Sequence, residues 1–182
     1  AIGVPMLLQD PWNPLNGSSA LYDMTFIHAT SDNGVVPDPY NGLVWSQRIA
    51  GATVVAEAGL PISRTLDWVT LQFAPSIVIP ADAWVDWDPA TEHFLTAAEV
   101  YTQPQSVQIK SVVTYPPNLF TTVTWHDGSP FSVADVVLNM ILSLDRDWVN
   151  IRGVRIISQN PLVIETYTDS YQIDAEHNVY TW

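Results

Sequence analysis

The chain has 182 residues, of which 47 % are hydrophobic and only 14 % are charged, so a folded domain with a sizeable core is expected and disorder is not. Its 19 acidic and 6 basic residues give a formal net charge of −13, which argues against binding to nucleic acid or to anionic membrane surfaces. The absence of cysteine excludes disulfides and thiol chemistry, and no apolar run reaches transmembrane length.

The N-terminal part of the chain is predicted to hold a short apolar segment, a helix and a loop. Residues 2–8 form an apolar run that predicts a strand or marks the edge of a fragment. A helix capped by Ser18 or Ser19 is predicted to continue to about Ala29. Residues 31–42 contain two prolines, two glycines, two aspartates and two asparagines, a composition typical of a loop.

Runs rich in β-branched and aromatic residues, separated by proline or glycine, predict strands in the middle of the chain. They cover residues 43–46, 52–56, 69–73, 76–79 and 107–115. Short helical turns are predicted from Thr96 and over residues 118–120. Residues 153–158 and 162–167 are expected to pair as a hairpin across a short turn. We therefore predict a single mixed α+β domain over residues 1–182, richer in strand than in helix.

Residues 125–137 predict a strand end, a tight turn and a capped helix in quick succession. Asp127-Gly128 is a turn dipeptide, because glycine accepts a positive φ and aspartate can bond its own backbone. Ser132 and Asp135 have the spacing of a capping box. The apolar residues that follow recur at spacings typical of one buried helix face. That face consists of Val133, Val136, Val137, Met140, Ile141 and Leu144.

His126 and Asp127 suggest acid–base chemistry, since histidine titrates near neutrality and a neighbouring carboxylate raises its pKa. Adjacent residues on a turn point in different directions, however, and Asp127 is needed for the turn itself, so a structural role is preferred. The four histidines are too scattered for a zinc site. The sequence also has no Gly-x-Ser-x-Gly elbow and no phosphate-binding glycine loop, so no catalytic residue is predicted.

The densest polar cluster lies in residues 82–93. It contains Asp82, Asp86, Asp88, Glu92 and His93. The spacing of these carboxylates faintly suggests a calcium loop, but the glycine of an EF-hand is missing and Pro89 interrupts the segment. We therefore expect a solvated acidic loop, and we predict no metal site and no cofactor.

The corner at residues 125–137 resembles the signature of the family 5 extracellular solute-binding proteins, the oligopeptide-, dipeptide- and nickel-binding receptors of bacterial ABC importers. The residues that carry the resemblance are Trp125, His126, Asp127, Gly128, Pro130, Ser132 and Asp135. The segment Asp10-Pro-Trp-Asn-Pro-Leu15 is similar to an early segment of the family, and residues 154–166 are similar to the hairpin after the signature helix. Residues 49–101 depart from the family pattern.

The resemblance implies a two-lobed fold of the class II periplasmic-binding type, with this chain as a fragment of the N-terminal lobe, cut from a longer precursor. It implies a periplasmic or extracellular protein that is held at the membrane by a lipid anchor or by the permease. The implied partners are a peptide or a similar small solute and the ABC permease subunits, with no nucleic acid. The signature itself would shape the lobe and have no catalytic role.

Eight tryptophans are many for this length, and aromatic platforms suit sugars and peptides. Most are expected to pack in the core or between lobes. Trp45, Trp87 and Tyr40 are the candidates for contact with ligand, Trp45 because the preceding Gly42-Leu43 is similar to a family element near the cleft. Two alternatives stay open: a carbohydrate-binding or calcium-dependent adhesion module, and a glycosidase, which only the supply of carboxylates supports.

Overall fold

The structure is a computed structural model. The residues that it describes are Ile27, Ala29, 32–145 and 150–182. The chain divides into two compact units, Ala1–Asp32 and Asn33–Trp182. In the first unit, Ile27 and Ala29 are helical, whereas the rest of the predicted N-terminal helix and the predicted strand over residues 2–8 lie outside the described residues.

The described part of Asn33–Trp182 is rich in strand and has a few helices. In chain order the strands are β1 (Val35–Pro37), β2 (Val44–Ser46), β3 (Gly51–Glu57), β4 (Val69–Ala74), β5 (Ile77–Val78), β6 (Trp84–Asp88), β7 (His93–Thr96), β8 (Ser106–Val107), β9 (Ile109–Thr114), β10 (Ile151–Gln159) and β11 (Leu162–Thr168). The helices are α1 (Ala97–Val100), α2 (Leu119–Thr122) and α3 (Val133–Asp145), and a 3₁₀ turn covers Ala175–Asn178. The domain is therefore of the mixed α+β class and richer in strand, as predicted. None of the described helices is long and apolar enough to span a membrane.

Seven of the described strands form the main sheet, in the order β4-β3-β9-β11-β10-β6-β7. β3 and β4 run parallel, and the other neighbouring pairs are antiparallel. β1 pairs with β2 and β5 pairs with β8 in two small sheets. The strands predicted in the middle of the chain, the C-terminal hairpin (β10–β11) and the helical turns α1 and α2 are confirmed within a few residues at their ends.

The two faces of the main sheet have different surroundings. Burial alternates from residue to residue along β3, β9 and β11, as expected when the two faces of a sheet differ. One face contributes Val54 and Ile164 to the larger core cluster, which also contains Met140 of α3. The second face carries a smaller cluster, in which Tyr167 packs with Ile77 of β5. The second face is the one that leaves room for a pocket.

Helix α3 buries the face that the sequence predicts. Val136, Met140 and Leu144 are buried in the larger core cluster, and Val133 lies against it. Leu138, which is not on the predicted face, has 55 % of its surface exposed. The apolar spacing therefore identifies both the helix and its orientation toward the core.

The prediction of a loop over residues 31–42 is wrong for Val35–Pro37, which form β1 and pair with β2. The polar residues build the turn of this hairpin instead. The side chains of Asp38 and Asn41 accept hydrogen bonds from the backbone N–H groups of Tyr40 and Leu43, at 2.8 and 2.9 Å. Residues that suggest a loop thus connect β1 to β2, and β1 is too short to show the alternation of a strand in sequence.

The prediction of a solvated acidic loop over residues 82–93 is also wrong, because this segment forms most of the β6–β7 hairpin. The ring of Trp84 stacks on that of Phe94 across the hairpin, with centroids 4.2 Å apart. Such cross-strand aromatic pairs stabilise a sheet. The acidic residues occupy the turn and the exposed positions between the aromatic residues. Their number in this segment favours the prediction of a loop, although the segment forms strands.

The strand predicted to end at Trp125 is not present among the described residues. Helix α2 ends at Thr122, and the segment that follows forms only an isolated bridge between Thr124 and Pro130. The chain therefore enters the corner from a helical turn. The apolar and β-branched residues before Trp125 suggest a strand, but no strand of the described ranges pairs with them along their length.

Candidate functional site

The turn of the corner is closed by its own hydrogen bonds. The N–H of Gly128, which has a φ of 85°, donates to the carbonyl of Trp125 at 2.9 Å, and the N–H of Trp125 donates to the carbonyl of Ser129 at 2.9 Å. The carboxylate of Asp127 accepts hydrogen bonds from the N–H and the hydroxyl of Ser129, at 2.9 and 2.6 Å. The turn predicted from Asp127-Gly128 is therefore confirmed.

The Asp135 side chain connects the first turn of α3 to the corner by hydrogen bonds. Its Oδ2 accepts hydrogen bonds from the N–H and the hydroxyl of Ser132, at 2.8 and 2.9 Å, and its Oδ1 accepts one from Nε1 of Trp125 at 3.2 Å. The bonds to Ser132 lower the pKa of Asp135, and the bonds to Ser129 lower the pKa of Asp127. Both aspartates are thus held in the ionised form as acceptors for local structure.

The remaining signature residues support the same structural role. His126 is exposed, and the ring of Trp125 meets that of Phe131 edge-on, with centroids 5.7 Å apart. Pro130 closes the turn through its bridge with Thr124. Because Asp127 binds Ser129, the geometry supports a structural corner and gives no support to acid–base chemistry by His126 and Asp127.

The aromatic residues predicted to contact ligand lie on two different sheets. Tyr40 is 97 % exposed at the turn of the β1–β2 hairpin, and Trp45 on β2 is 46 % exposed opposite Val36. Trp87 lies on β6 of the main sheet, where its ring meets that of Phe94 edge-on with centroids 4.9 Å apart. Tyr40 and Trp45 are accessible to a ligand, whereas Trp87 is half-buried in aromatic packing.

The three aspartates of residues 82–93 have separate partners within the protein. Asp82 binds Arg155, at 2.8 Å, and Asp86 accepts a hydrogen bond from the N–H of Trp87. Asp88 accepts hydrogen bonds from the hydroxyl of Thr91 and the N–H of Ala90, and these bonds lower its pKa. No group of three histidine, aspartate or glutamate residues that could hold a metal ion is found in the described ranges.

A pocket with charges of both signs lies on the second face of the main sheet. Its polar residues are Lys110 on β9, Arg155 on β10, Glu165 and Tyr167 on β11, and Ser76 between β4 and β5. We call it the paired-charge pocket. The register of the sheet brings these side chains together, because Lys110 lies opposite Tyr167 and Arg155 lies opposite Glu165. Glu165 and Tyr167 are two residues apart on one strand and therefore share a face.

Glu165 is the centre of the paired-charge pocket. Its Oε2 accepts a hydrogen bond from the Tyr167 hydroxyl at 2.6 Å and one from a guanidinium nitrogen of Arg155 at 3.2 Å, and its Oε1 lies 3.4 Å from Nζ of Lys110. The other terminal nitrogen of Arg155 donates to Asp82. The Glu165 side chain is 13 % exposed, and those of Lys110 and Arg155 are each 28 % exposed. The two cations are therefore shielded but still reachable from solvent.

The charge states in the paired-charge pocket follow from these contacts. Burial acts to lower the pKa of Arg155, but hydrogen bonds to Asp82 and Tyr167 and the charges of Asp82 and Glu165 raise it above its ordinary value. Burial and the adjacent Glu165 carboxylate raise the pKa of Tyr167. Arg155 thus stays cationic and Tyr167 stays a neutral hydroxyl at physiological pH.

The walls of the paired-charge pocket are apolar. They are formed by Val55, Ala74, Ile77, Val78 and Pro80, and the pocket has a volume of about 310 Å³. A second pocket, of about 340 Å³, shares Arg155 with the first, and its other lining residues are Asp82, Trp84, Ile156 and Ile157. The arrangement can hold a small solute by charge, hydrogen bonds and apolar contact. None of the described residues that line the paired-charge pocket is a histidine or a cysteine.

Sequence reasoning missed the paired-charge pocket, although part of its signal is present. The predicted hairpin of residues 153–158 and 162–167 places Arg155 and Glu165 on paired strands, and Lys110 falls on the polar side of a predicted strand. What the sequence lacks is the order of strands in the sheet, which puts β9 next to β11. Comparison of the chain with protein-family models, with curated proteins and with solved structures finds no match.

Proposed function

We propose that this chain is part of the solute-binding component of an ABC importer, which captures a peptide or a similar small solute outside the membrane and delivers it to the permease. In this proposal the chain contributes one lobe of a class II periplasmic-binding fold, and binding is non-covalent. Closure of a second lobe over the solute completes the site.

The observation that carries the proposal is the paired-charge pocket. It offers a guanidinium, an ammonium, a carboxylate and a phenol hydroxyl above apolar walls, all on the strands of one sheet. Groups held on adjacent strands are preorganised, so a charged solute loses little free energy to rearrangement of the protein. A peptide or an amino-acid-like solute carries the complementary charges. The pocket thus supports recognition of such solutes better than it supports a covalent reaction.

The geometry of the corner adds support from a second direction. Asp127 and Asp135, the two carboxylates of the signature-like segment, bind Ser129, Ser132 and Trp125 of the same segment. The segment therefore acts as a rigid support for α3, which is the role that the family resemblance implies for it. A corner of this kind serves a binding lobe without taking part in chemistry.

The test is a calorimetric titration of the native protein, isolated from its source, with a set of short peptides, together with peptide uptake by cells that lack it. We expect saturable binding by the native protein, loss of uptake without it, and far weaker binding by the 182-residue chain alone, because one lobe supplies only part of the contacts. Normal uptake without the protein, or native protein that binds no peptide, would contradict the proposed function. Tight binding by the 182-residue chain alone would contradict the two-lobed arrangement.

A second candidate function is a carbohydrate-binding module, and the exposed aromatic residues of the β1–β2 hairpin favour it. Trp45 and the fully accessible Tyr40 offer flat rings of the kind that stack on sugars. Affinity electrophoresis in gels that contain soluble polysaccharides tests this function. Retardation that is lost in Trp45→Ala and kept in Phe73→Ala, which removes another exposed ring, would favour it. Equal mobility with and without polysaccharide would refute it.

A further inference from the structure

We propose that the paired-charge pocket binds a small carboxylate with a short aliphatic body, such as the carboxyl-terminal end of a peptide that ends in an aliphatic residue. This inference rests on the proposed function for its biological role, and it names the chemical class of solute that the pocket takes. It is carried by three features of the pocket: its local charge, its surplus of hydrogen-bond donors, and the size and chemistry of its walls.

The pocket is less negative than the protein as a whole. Lys110 and Arg155 contribute two positive charges, and Glu165 in the lining and Asp82 beside it contribute two negative charges, so this group of four residues has no net charge. The whole chain carries a net charge of −13. A small anion therefore meets two cations in the pocket and less repulsion there than around most of the surface, whereas a cation has no such preference for the pocket.

The hydrogen-bonding groups of the pocket also favour an anion. A guanidinium has five N–H donors and an ammonium has three. Arg155 donates to Glu165 and to Asp82, and Lys110 donates to Glu165, so each cation keeps further donors for a ligand. The planar guanidinium fork suits a carboxylate. The proximity of Glu165 disfavours a second full negative charge, so a monoanionic carboxylate fits better than a phosphate.

The size and walls of the pocket determine the size and chemistry of the part of the ligand beyond its carboxylate. Its volume of about 310 Å³ lies at the low end of the roughly 300–1,000 Å³ that is usual for small-molecule sites, so it admits one residue-sized group. Val55, Ala74, Val78 and Pro80 line it with aliphatic surface, which stabilises an apolar body by burial. A long peptide would leave the pocket after its terminal residue.

The experiment is an NMR titration of the chain with isovalerate, with isovaleramide and isopentylamine as probes of similar shape that are neutral and cationic. We expect isovalerate to shift the amide resonances of Lys110, Arg155 and Glu165 in a saturable way, and the other two probes to bind at least about tenfold more weakly. Equal binding of the three probes, or shifts by isovalerate that spare this pocket, would overturn the inference.

Two variants assign the binding to the charges of the pocket. Lys110→Met removes one cation and keeps the length of the side chain, and we expect about tenfold weaker isovalerate binding. Arg152→Gln is the control, because Arg152 lies on β10 with Arg155 but pairs with Asp169, and it should change the affinity by less than about twofold. Unchanged affinity in Lys110→Met, or equal losses in both variants, would contradict the assignment.

A variant at the exposed residue Ser76 tests the inference if Lys110→Met does not fold. Ser76 is exposed in the lining, so Ser76→Asp adds a negative charge at the mouth with little effect on the core, and Ser76→Asn is its neutral control. We expect the aspartate variant to lose isovalerate binding and the asparagine variant to keep it, and the opposite result would contradict the inference.

If peptides bind to the native protein and spare this pocket, the inference fails and the proposed function stands. If isovalerate binds here but the native protein has no role in uptake, the proposed function fails and the pocket assignment stands.

Discussion

The substitution Glu165→Gln tests whether Glu165 organises the paired-charge pocket. It keeps the shape of the side chain but removes the charge that faces Lys110, Arg155 and Tyr167 at 3.4, 3.2 and 2.6 Å. Removing one partner of a fully buried ion pair costs about 3–5 kcal/mol, whereas pairs in contact with solvent are worth about 1 kcal/mol or less. With side-chain exposures of 13 % and 28 %, this pair lies between these limits. We therefore expect the free energy of unfolding to fall by about 2 kcal/mol.

The assay is urea unfolding, with Glu57→Gln on β3 as the matched control for loss of one negative charge from the same sheet. The control should change the free energy of unfolding by less than about 0.5 kcal/mol. Adding Lys110→Met to Glu165→Gln should recover part of the loss, with a coupling energy of about 1 kcal/mol, because it removes a cation that has lost its partner. Equal losses in Glu165→Gln and Glu57→Gln, or no coupling to Lys110, would refute the reasoning.

Three further predictions concern the core, the corner and a buried tyrosine. In urea unfolding, Met140→Ala should destabilise by about 2–5 kcal/mol through a cavity and Leu138→Ala by less than about 1 kcal/mol, and similar losses would contradict the assigned helix face. Gly128→Ala should cost about 1 kcal/mol in the same assay because of its φ of 85°, although its Cβ would meet no atom within 4 Å, whereas no cost would contradict this backbone geometry. Burial raises the pKa of Tyr115 to about 12 from an ordinary 10.0. The neutral Tyr115 hydroxyl therefore contributes its full stabilisation of the fold below pH 10, and this contribution is lost as the pH rises through 12. Phenolate absorbance checks this against Tyr115→Phe, and ionisation near pH 10 would contradict it.

The corner could be predicted from sequence because its interactions are local. Asp127 binds Ser129, two residues away, and Asp135 binds Ser132, three residues away. The chemistry of a turn and of a helix cap depends on residues within one turn of backbone, so their order along the chain is enough to place them. The buried face of α3 followed from the same kind of information, since the helical period puts Met140 on the core side whatever it packs against.

The two wrong loop predictions have a common physical cause. The β1–β2 and β6–β7 hairpins consist of strands of three to five residues, in which polar turn residues make up a large share of the sequence. Their strand character comes from contacts across the hairpin, such as the stacking of Trp84 on Phe94. Local composition therefore favours a loop over β1 and over the β6–β7 hairpin, although it predicts β2 as a strand, and contacts across the hairpins decide otherwise.

The paired-charge pocket depends on the order of strands in space, which sequence reasoning did not supply. Lys110 is 55 residues from Glu165 along the chain, and the two meet because β9 lies between β3 and β11. No periodicity within either strand indicates this neighbour. The same holds for Asp82, which is 73 residues from Arg155 and reaches it from the segment before β6.

The energetics of the charged cluster around Glu165 bear on the proposed binding function. Partly buried ion clusters are often no more stabilising than apolar side chains of similar volume, since desolvation offsets much of the attraction between the charges. The second face of the sheet already packs Ile77 and Tyr167 in an apolar cluster, so further apolar side chains would serve stability there equally well. Two of the chain's 6 basic residues nevertheless converge on Glu165. A pocket that must hold a charged solute requires cations that are fixed in place yet reachable, and Glu165 fixes Lys110 and Arg155 while part of each cation stays open to solvent.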